Sequence, residues 1–284
     1  MKANISTTFL LLIPFFMHAQ NREITPEDVV TRIKDHVTCN WSDETVDTFK
    51  AGNPKTKINS ITVCMFADMQ VLKKAVELGS NFIITHEPIF YNHLDETGSY
   101  SNDPVFNEKM EFIKKHNLVI FRFHDHIHRT DPDGIRAGMI RKLDLEKYSD
   151  NGSRTFFHLP EQTLEDYSAE LKEKLNLETV RIIGNPDMKF TKLAIMAGAP
   201  GGQRHIEMLG NDKMEVLLAG EAREWETYLY MNDAVQQGRN KAIIFIGHTK
   251  SEEAGMKYCA EWLEKFVTEV PIHFIENQLN FKTL

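Results

Sequence analysis

Three places in the chain set histidines and carboxylates directly after a short apolar run. His86-Glu87-Pro88 follows Asn81–Thr85. His124-Asp125-His126-Ile127-His128 follows Leu118–Phe123. His248 follows Lys241–Gly247, with Glu252 four residues on. Imidazole nitrogen and carboxylate oxygen together suit borderline divalent ions such as Zn, Mn, Fe or Co. A bridging carboxylate holds two such ions ~3.5–4 Å apart, and the pair lowers the pKa of a shared water enough to give hydroxide near neutrality. Without a cation, Glu87, Asp125 and Glu252 would repel one another in a partly dry cleft. The candidate ligands of two divalent ions are therefore His86, Glu87, His124, Asp125, His128, His248 and Glu252. Glu252 or Glu87 would be the bridging, catalytic carboxylate.

Neighbouring residues have plainer readings. If the strand through Phe123 continued, His124, His126 and His128 would share one face, with Phe121, Phe123 and Ile127 on the other. If it stops at Phe123, only some of them face the site. His93, beside Asp95 and Glu96, reads as a solvated loop, and His36, His158, His205 and His273 read as structural or exposed. Ser251 is placed to cap a helix, with Glu252 in the first turn, where the helix dipole favours a carboxylate. Arg122 and Arg129 flank the histidines and could hold an anionic group of a substrate. Met196–Gln203 is a glycine-rich turn that lacks the Lys-Ser/Thr of a phosphate-binding loop, and no GxSxG elbow is present.

These residues need elements to carry them. Ile58–Phe66 reads as a strand, Met69–Leu78 as a helix capped by Asp68 and stopped at Gly79, and Asn81–Thr85 as a buried strand. That order is the βαβ signature of a parallel sheet. A helix near Phe106–His116 and the strand Leu118–Phe123 extend it. Strand Lys241–Gly247, a helix from Glu252 to Phe266 and a strand at Ile272–Ile275 close the chain. The middle alternates strand and helix again. The expected class is α/β, with two α/β domains, the second inserted in the first: residues 20–150, an insert of 151–225, and a return over 226–284. Ligands of parallel sheets bind beyond the carboxyl ends of the strands, so three neighbouring strand ends would pool their donors.

Composition sets outer limits. A formal net charge of -8, with no Lys/Arg block, excludes broad nucleic-acid binding. Lys2 and the apolar run Phe9–Phe16 read as a signal peptide over residues 1–19, cut after Ala19. The run is too short to span a bilayer, and nothing later is long and apolar enough to anchor the chain. The expectation is an exported protein, periplasmic or secreted. Cys39, Cys64 and Cys259 form no CxxC motif, so neither a disulfide framework nor a thiolate zinc site is expected.

The clusters resemble the dinuclear metal-centre family named after NGG-one-interacting factor three, whose bacterial members include YbgI-like proteins known as GTP cyclohydrolase I type 2. The family's apolar strand and His-His-Pro is matched by Phe82-Ile83-Ile84-Thr85-His86-Glu87-Pro88. Its His-x-x-x-Asp stretch is matched by His124-Asp125-His126-Ile127-His128. Its closing Gly-His-x-x-Ser-Glu is intact as Gly247-His248-Thr249-Lys250-Ser251-Glu252. Gly198–Gly202 and Leu218-Ala219-Gly220-Glu221 also look like family landmarks. Two positions depart: Glu87 stands for the second His, and His128 for the Asp, which keeps the count of imidazoles and carboxylates. The resemblance implies His86, Glu87, His128, His248 and Glu252 as ligands, a homohexamer, and hydrolysis of a small-molecule substrate by metal-activated water. A non-catalytic metal-binding homo-oligomeric scaffold or metal store is the alternative, and a metal-free binding module a third.

Overall fold

The computed structural model describes residues 23–278; the proposed signal peptide lies outside them. Ten strands run in chain order: β1 (Phe49–Ala51), β2 (Ile61–Cys64), β3 (Phe82–Thr85), β4 (Val119–Arg122), β5 (Phe156–Thr163), β6 (Arg181–Ile183), β7 (Lys189–Met196), β8 (Val216–Ala219), β9 (Ala242–Phe245) and β10 (Ile272–Phe274). The α-helices are α1 (Pro26–His36), α2 (Met69–Glu77), α3 (Pro104–Lys115), α4 (Asp125–Arg129), α5 (Gly134–Lys142), α6 (Leu164–Leu175), α7 (Gly202–Leu209), α8 (Leu229–Gln236) and α9 (His248–Leu263).

The strands form two five-stranded sheets. The first has the order β1-β4-β3-β2-β10, parallel except for β1. The second has the order β5-β7-β8-β9-β6, with β7, β8 and β9 parallel and both edges antiparallel. The α/β class holds. One boundary moves: β9, expected to return to the first sheet with residues 226–284, pairs with β8 and β6 in the second. Only α9 and β10 return. Periodicity could not have said so, because a continuous apolar strand such as Ala-Ile-Ile-Phe fits the middle of either sheet.

Local chemistry accounts for the elements. Thr25 and Asp28 make a reciprocal capping box ahead of Pro26, and Val29, Val30 and Ile33 bury one face of α1. The Asp68 side chain accepts the Val71 N–H to start α2. The four-residue parallel strands β2, β3 and β4 are buried on both faces, and so are β8 and β9. Full burial of each Val, Ile or Phe there contributes ~1.5–3 kcal/mol.

Register decides where the site falls. Cys64, Thr85 and Arg122 are aligned at the carboxyl ends of β2, β3 and β4, so His86 and Phe123 leave their strands at the same level. Met196, Ala219 and Phe245 are aligned at the ends of β7, β8 and β9, so the next turns carry Gly198, Gly220 and Gly247. Helix α9 starts beyond β9 and packs along α5, where a side chain on Gly255 would strike the backbone of Ile135 and one on Gly138 would strike Ala254. This close crossing ties the strand ends of the second sheet to α4 and α5 of the first. No helix among the described residues is long and apolar enough to cross a membrane.

Candidate metal centre

His86 is fully buried. Its Nδ1 lies 3.1 Å from the Phe123 carbonyl oxygen, which can only accept, so Nδ1 carries the proton. The Nε2 lone pair is left buried and without a hydrogen-bond partner. Burial, reinforced by His128, His124 and His248, holds this ring well below the usual histidine range and therefore neutral. It faces Glu252 across 3.6 Å.

The other histidines repeat the arrangement. The Nδ1 of His124 is 3.0 Å from Asp125, that of His128 is 3.4 Å from Asp133, and that of His248 is 3.1 Å from Glu221. Each Nε2 points the opposite way, to a carboxylate. His128 reaches Glu252 Oε1 at 3.8 Å, and His248 reaches Glu252 Oε2 at 3.1 Å and Glu87 Oε1 at 3.2 Å. His124 reaches Glu87 Oε1 at 3.6 Å. Fixing one ring nitrogen to aim the other is the supporting pattern of imidazole ligands. The rings of His86, His124 and His128 lie within 5.1 Å of one another, centroid to centroid.

Charge is balanced tightly. Burial opposes ionisation of Glu87, but His248, His124 and Arg122 bring its pKa down. Burial also opposes a proton on His248, yet Glu252 and Glu87 raise its pKa to about 10. Two carboxylates thus draw a positive charge to the spot between them. Burial opposes the charge on His128 as well, and Asp133 carries its pKa upward.

Glu252 is reached from the second sheet. A Cβ on Gly198, which has φ +69°, would sit 2.5 Å from the Glu252 carboxylate, so only glycine leaves that space free. Ser251 does not cap the helix, which begins four residues earlier than expected, at His248. Its hydroxyl donates to the His248 carbonyl and accepts the Gly198 N–H, joining α9 to the glycine turn.

Two sets of donor atoms lie close enough to share an ion: His86, His124 and His128, and His86, Glu87 and Glu252. His248 adjoins the second set through both carboxylates. Asp125 stands one step back: one oxygen meets His124, while the other accepts the Thr45 hydroxyl and the Val46 N–H. Burial would raise its pKa, but these bonds hold it down at about 2. His126 turns away, because β4 ends at Arg122 and helical geometry puts residues 124 and 128 on one side and 126 on the other. Its ring stacks on Trp41 at 3.7 Å and bonds Asp47 and the Ser42 N–H.

Arg122 is corrected too. It is fully buried and donates to the backbone carbonyls of His86 and His93, with Glu87 and Asp95 each 3.5 Å away, so it supports the site rather than awaiting a substrate. Sequence reasoning gave no site role to Asp47, Asp133 or Glu221. Asp47 and Asp133 follow no strand's carboxyl end, and Glu221, two residues past β8, stood only as part of a family landmark; the fold brings all three to the histidines. The residues present fit a bound metal on three counts: an orphaned imidazole lone pair, a cradle that a Cβ would fill, and a mixed nitrogen and oxygen donor set.

The chain is 22% identical over 244 residues to a protein of Clostridium acetobutylicum named GTP cyclohydrolase 1 type 2 homolog, covering 81% of this chain and 87% of that protein. A protein of the same name from Buchnera aphidicola is 25% identical over 225 residues, covering 77% and 85%. Among solved structures, a Bacillus cereus protein related to NIF3 matches the fold with TM-score 0.72 at 15% identity, over 92% of this chain and 99% of that one. A Staphylococcus aureus hypothetical protein matches with TM-score 0.72 at 16% identity, over 92% and 100%. The profile of the Duf34/NIF3 (NGG1p interacting factor 3) family matches residues 25–280, and the chain belongs to that family.

Proposed function

We propose that this protein is a metal-dependent hydrolase of a small-molecule substrate, built on two divalent ions of the Zn, Mn, Fe or Co class. The observation that carries the reading is the buried, unpartnered Nε2 of His86, facing Glu252. Leaving such a group unsatisfied costs ~1–3 kcal/mol, and a cation beside it removes that cost. Bound ions would supply an acidified water and an electrophile for a substrate oxygen.

The chain's own part is to hold and orient. Glu252 would hold the metal from both oxygens, because they face different imidazoles: Oε1 towards His128, Oε2 towards His86 and His248. Glu87 presents Oε1 inward and turns Oε2 to Arg122, so it would offer a metal one oxygen. Phe123, Asp125, Asp133 and Glu221 lock the four rings. The relatives' name suggests ring opening of a guanine nucleotide. Export, proposed here on the apolar run Phe9–Phe16, argues instead for a substrate found outside the cytoplasm.

The test is reconstitution of the mature protein with Mn, Zn or Fe, followed by a screen of phosphoesters, cyclic amides and nucleotides. Turnover that disappears in Glu252→Ala supports the proposal. Full metal occupancy with no turnover in any class turns the reading towards a metal-holding scaffold. Light scattering checks the homohexamer that the family suggests.

A further inference from the structure

Trp225 is 69% exposed and Leu229 is 56% exposed. They stand one turn apart where a π-helical turn, Glu224–Tyr228, runs into α8. Single π turns of this kind recur at functional sites. Residues four apart on a helix share a face, so Trp225, Leu229 and Asp233 form one stripe. Gln203, Ile206 and Glu207 form a second stripe on α7 by the same rule. The two stripes border an open groove of about 500 Å³, which Tyr230 and Gly202 also line. A side chain on Gly202 would strike the Glu226 carboxylate, so the two helical segments approach closely at this end. None of these residues is a candidate metal ligand.

The groove is apolar and acidic. Ile206, Trp225, Leu229 and Tyr230 supply the apolar part. Glu207, Glu226 and Asp233 supply three carboxylates, and no Lys, Arg or His lines it. The chain already shows what this combination takes. Arg223, beside the groove, lays its guanidinium over the Trp225 ring, 5.6 Å from the centroid, and reaches Glu226 at 3.3 Å. Indole faces attract cations through the ring quadrupole. Only Glu226 is met in this way. Glu207 has the neutral Gln203 amide at 3.0 Å, and Asp233 pairs with no cation among the described residues. A second copy of the chain is a poor occupant. Symmetric pairing would set these carboxylates against their own images, in a chain of formal net charge -8.

We infer that this groove docks a cationic amphipathic helix of a partner protein. Its apolar side chains cover Trp225 and Leu229, and its Lys or Arg side chains meet Glu207, Glu226 and Asp233. The mode is a helix laid in a groove between two helices, with apolar anchors every three or four positions. Trp225 is the anchor on this side, since a large aromatic that loses its water on docking carries most of the affinity. The carboxylates set approach and partner choice. The inference stands apart from the hydrolase reading, because no candidate ligand takes part in it.

The probe is a fluorescein-labelled peptide, Lys-Leu-Leu-Lys-Lys-Leu-Leu-Lys-Lys-Leu-Leu-Lys, titrated with the purified mature protein and read by anisotropy. One control peptide carries Glu for every Lys, and another carries Ser for every Leu. The expected result is saturable binding of the first peptide alone, weakening as salt screens the carboxylates. Its place is read on the unlabelled peptide by acrylamide quenching. Of the three tryptophans, Trp41 is stacked on His126 and Trp262 packs against Phe123 and Phe266, so quenching reads chiefly Trp225. Bound peptide should shield it. Trp225→Ala and Leu229→Lys should each weaken binding at least about tenfold, the scale of an interface anchor. The shielding of Trp225 in the unsubstituted protein stands as a readout if either variant misfolds. No saturable binding, equal binding of either control, no shielding at saturation, or unchanged affinity in both variants would overturn the inference. So would an assembly of this chain, seen by light scattering, that Trp225→Ala dissolves, since the groove would then belong to a second copy.

Discussion

The two faces of α4 carry the same residue type in opposite conditions. On one face, His126 donates from Nδ1 to Asp47, accepts the Ser42 N–H at Nε2 and lies flat on Trp41. On the other, His124 and His128 have one nitrogen tied and the other turned to a carboxylate beyond hydrogen-bond distance. All three sit within five residues and follow the same strand. The difference teaches that burial and neighbours do not make a ligand; the state of the second nitrogen does. A histidine whose second nitrogen takes a backbone N–H is a strut, and one whose second nitrogen faces only carboxylates is available for coordination.

The sharpest way to break this comparison is to remove the partner that saturates the quiet face. Asp47 accepts the N–H groups of His124, Asp125 and His126 as well as the His126 ring. Asp47→Ala should lower unfolding free energy by ~3–5 kcal/mol in urea melts, the scale of a buried partner lost. A loss under ~1 kcal/mol would mean that the strut is not one. Glu252→Ala on the other face should do the reverse. Metal affinity should fall more than ~100-fold, beyond what an outer partner commands, while stability in chelator stays within ~1 kcal/mol.

Lys109 asks whether a hydrogen bond alone makes a buried polar group inert. It donates to the Ile89 carbonyl at 2.7 Å, yet burial, against the pull of Asp68, brings its pKa from 10.5 down to about 8. The unfolded chain then holds the extra proton between about pH 8 and 10.5, so stability rises with pH across that window and the burial cost is present in full below it. About 2.5 pKa steps correspond to about 3 kcal/mol. Lys109→Met should therefore lose up to about 3 kcal/mol relative to the unsubstituted protein between those two pH values. A difference that stays flat with pH would contradict the assignment. The smallest effect belongs to aim alone: Asp133→Asn keeps a partner on His128 Nδ1 but removes the charge. It should weaken metal binding ~10–100-fold with little change in folding.

Much of the site was legible because its donors are local in sequence to strand ends. His86 and Glu87 follow β3 directly, and His248 opens α9 with Glu252 one turn on, spacings that backbone geometry alone converts into proximity. What was hidden depends on long-range packing. The membership of β9 in the second sheet could not be read, since its residues suit either, so the convergence expected of three adjacent strands is in fact made by two sheets presenting their strand ends to each other. The turn from β4 into α4 was open as well, and it decides which of three alternating histidines faces inward. Arg122 read as a contact for an anionic substrate group because nothing in its neighbours announces that Glu87, Asp95 and two carbonyls will surround it.

The donors are spread along the chain, and the last of them, His248 and Glu252, lie after the whole second sheet. During synthesis the amino-terminal strands emerge first, carrying His86, His124 and His128 with no carboxylate from α9 to meet them. A nascent or truncated polypeptide therefore offers an ion only part of its cage. With metal bound as proposed, tight metallation would certify that both halves have been made and docked, and loosely held metal would mark chains still awaiting their final helix.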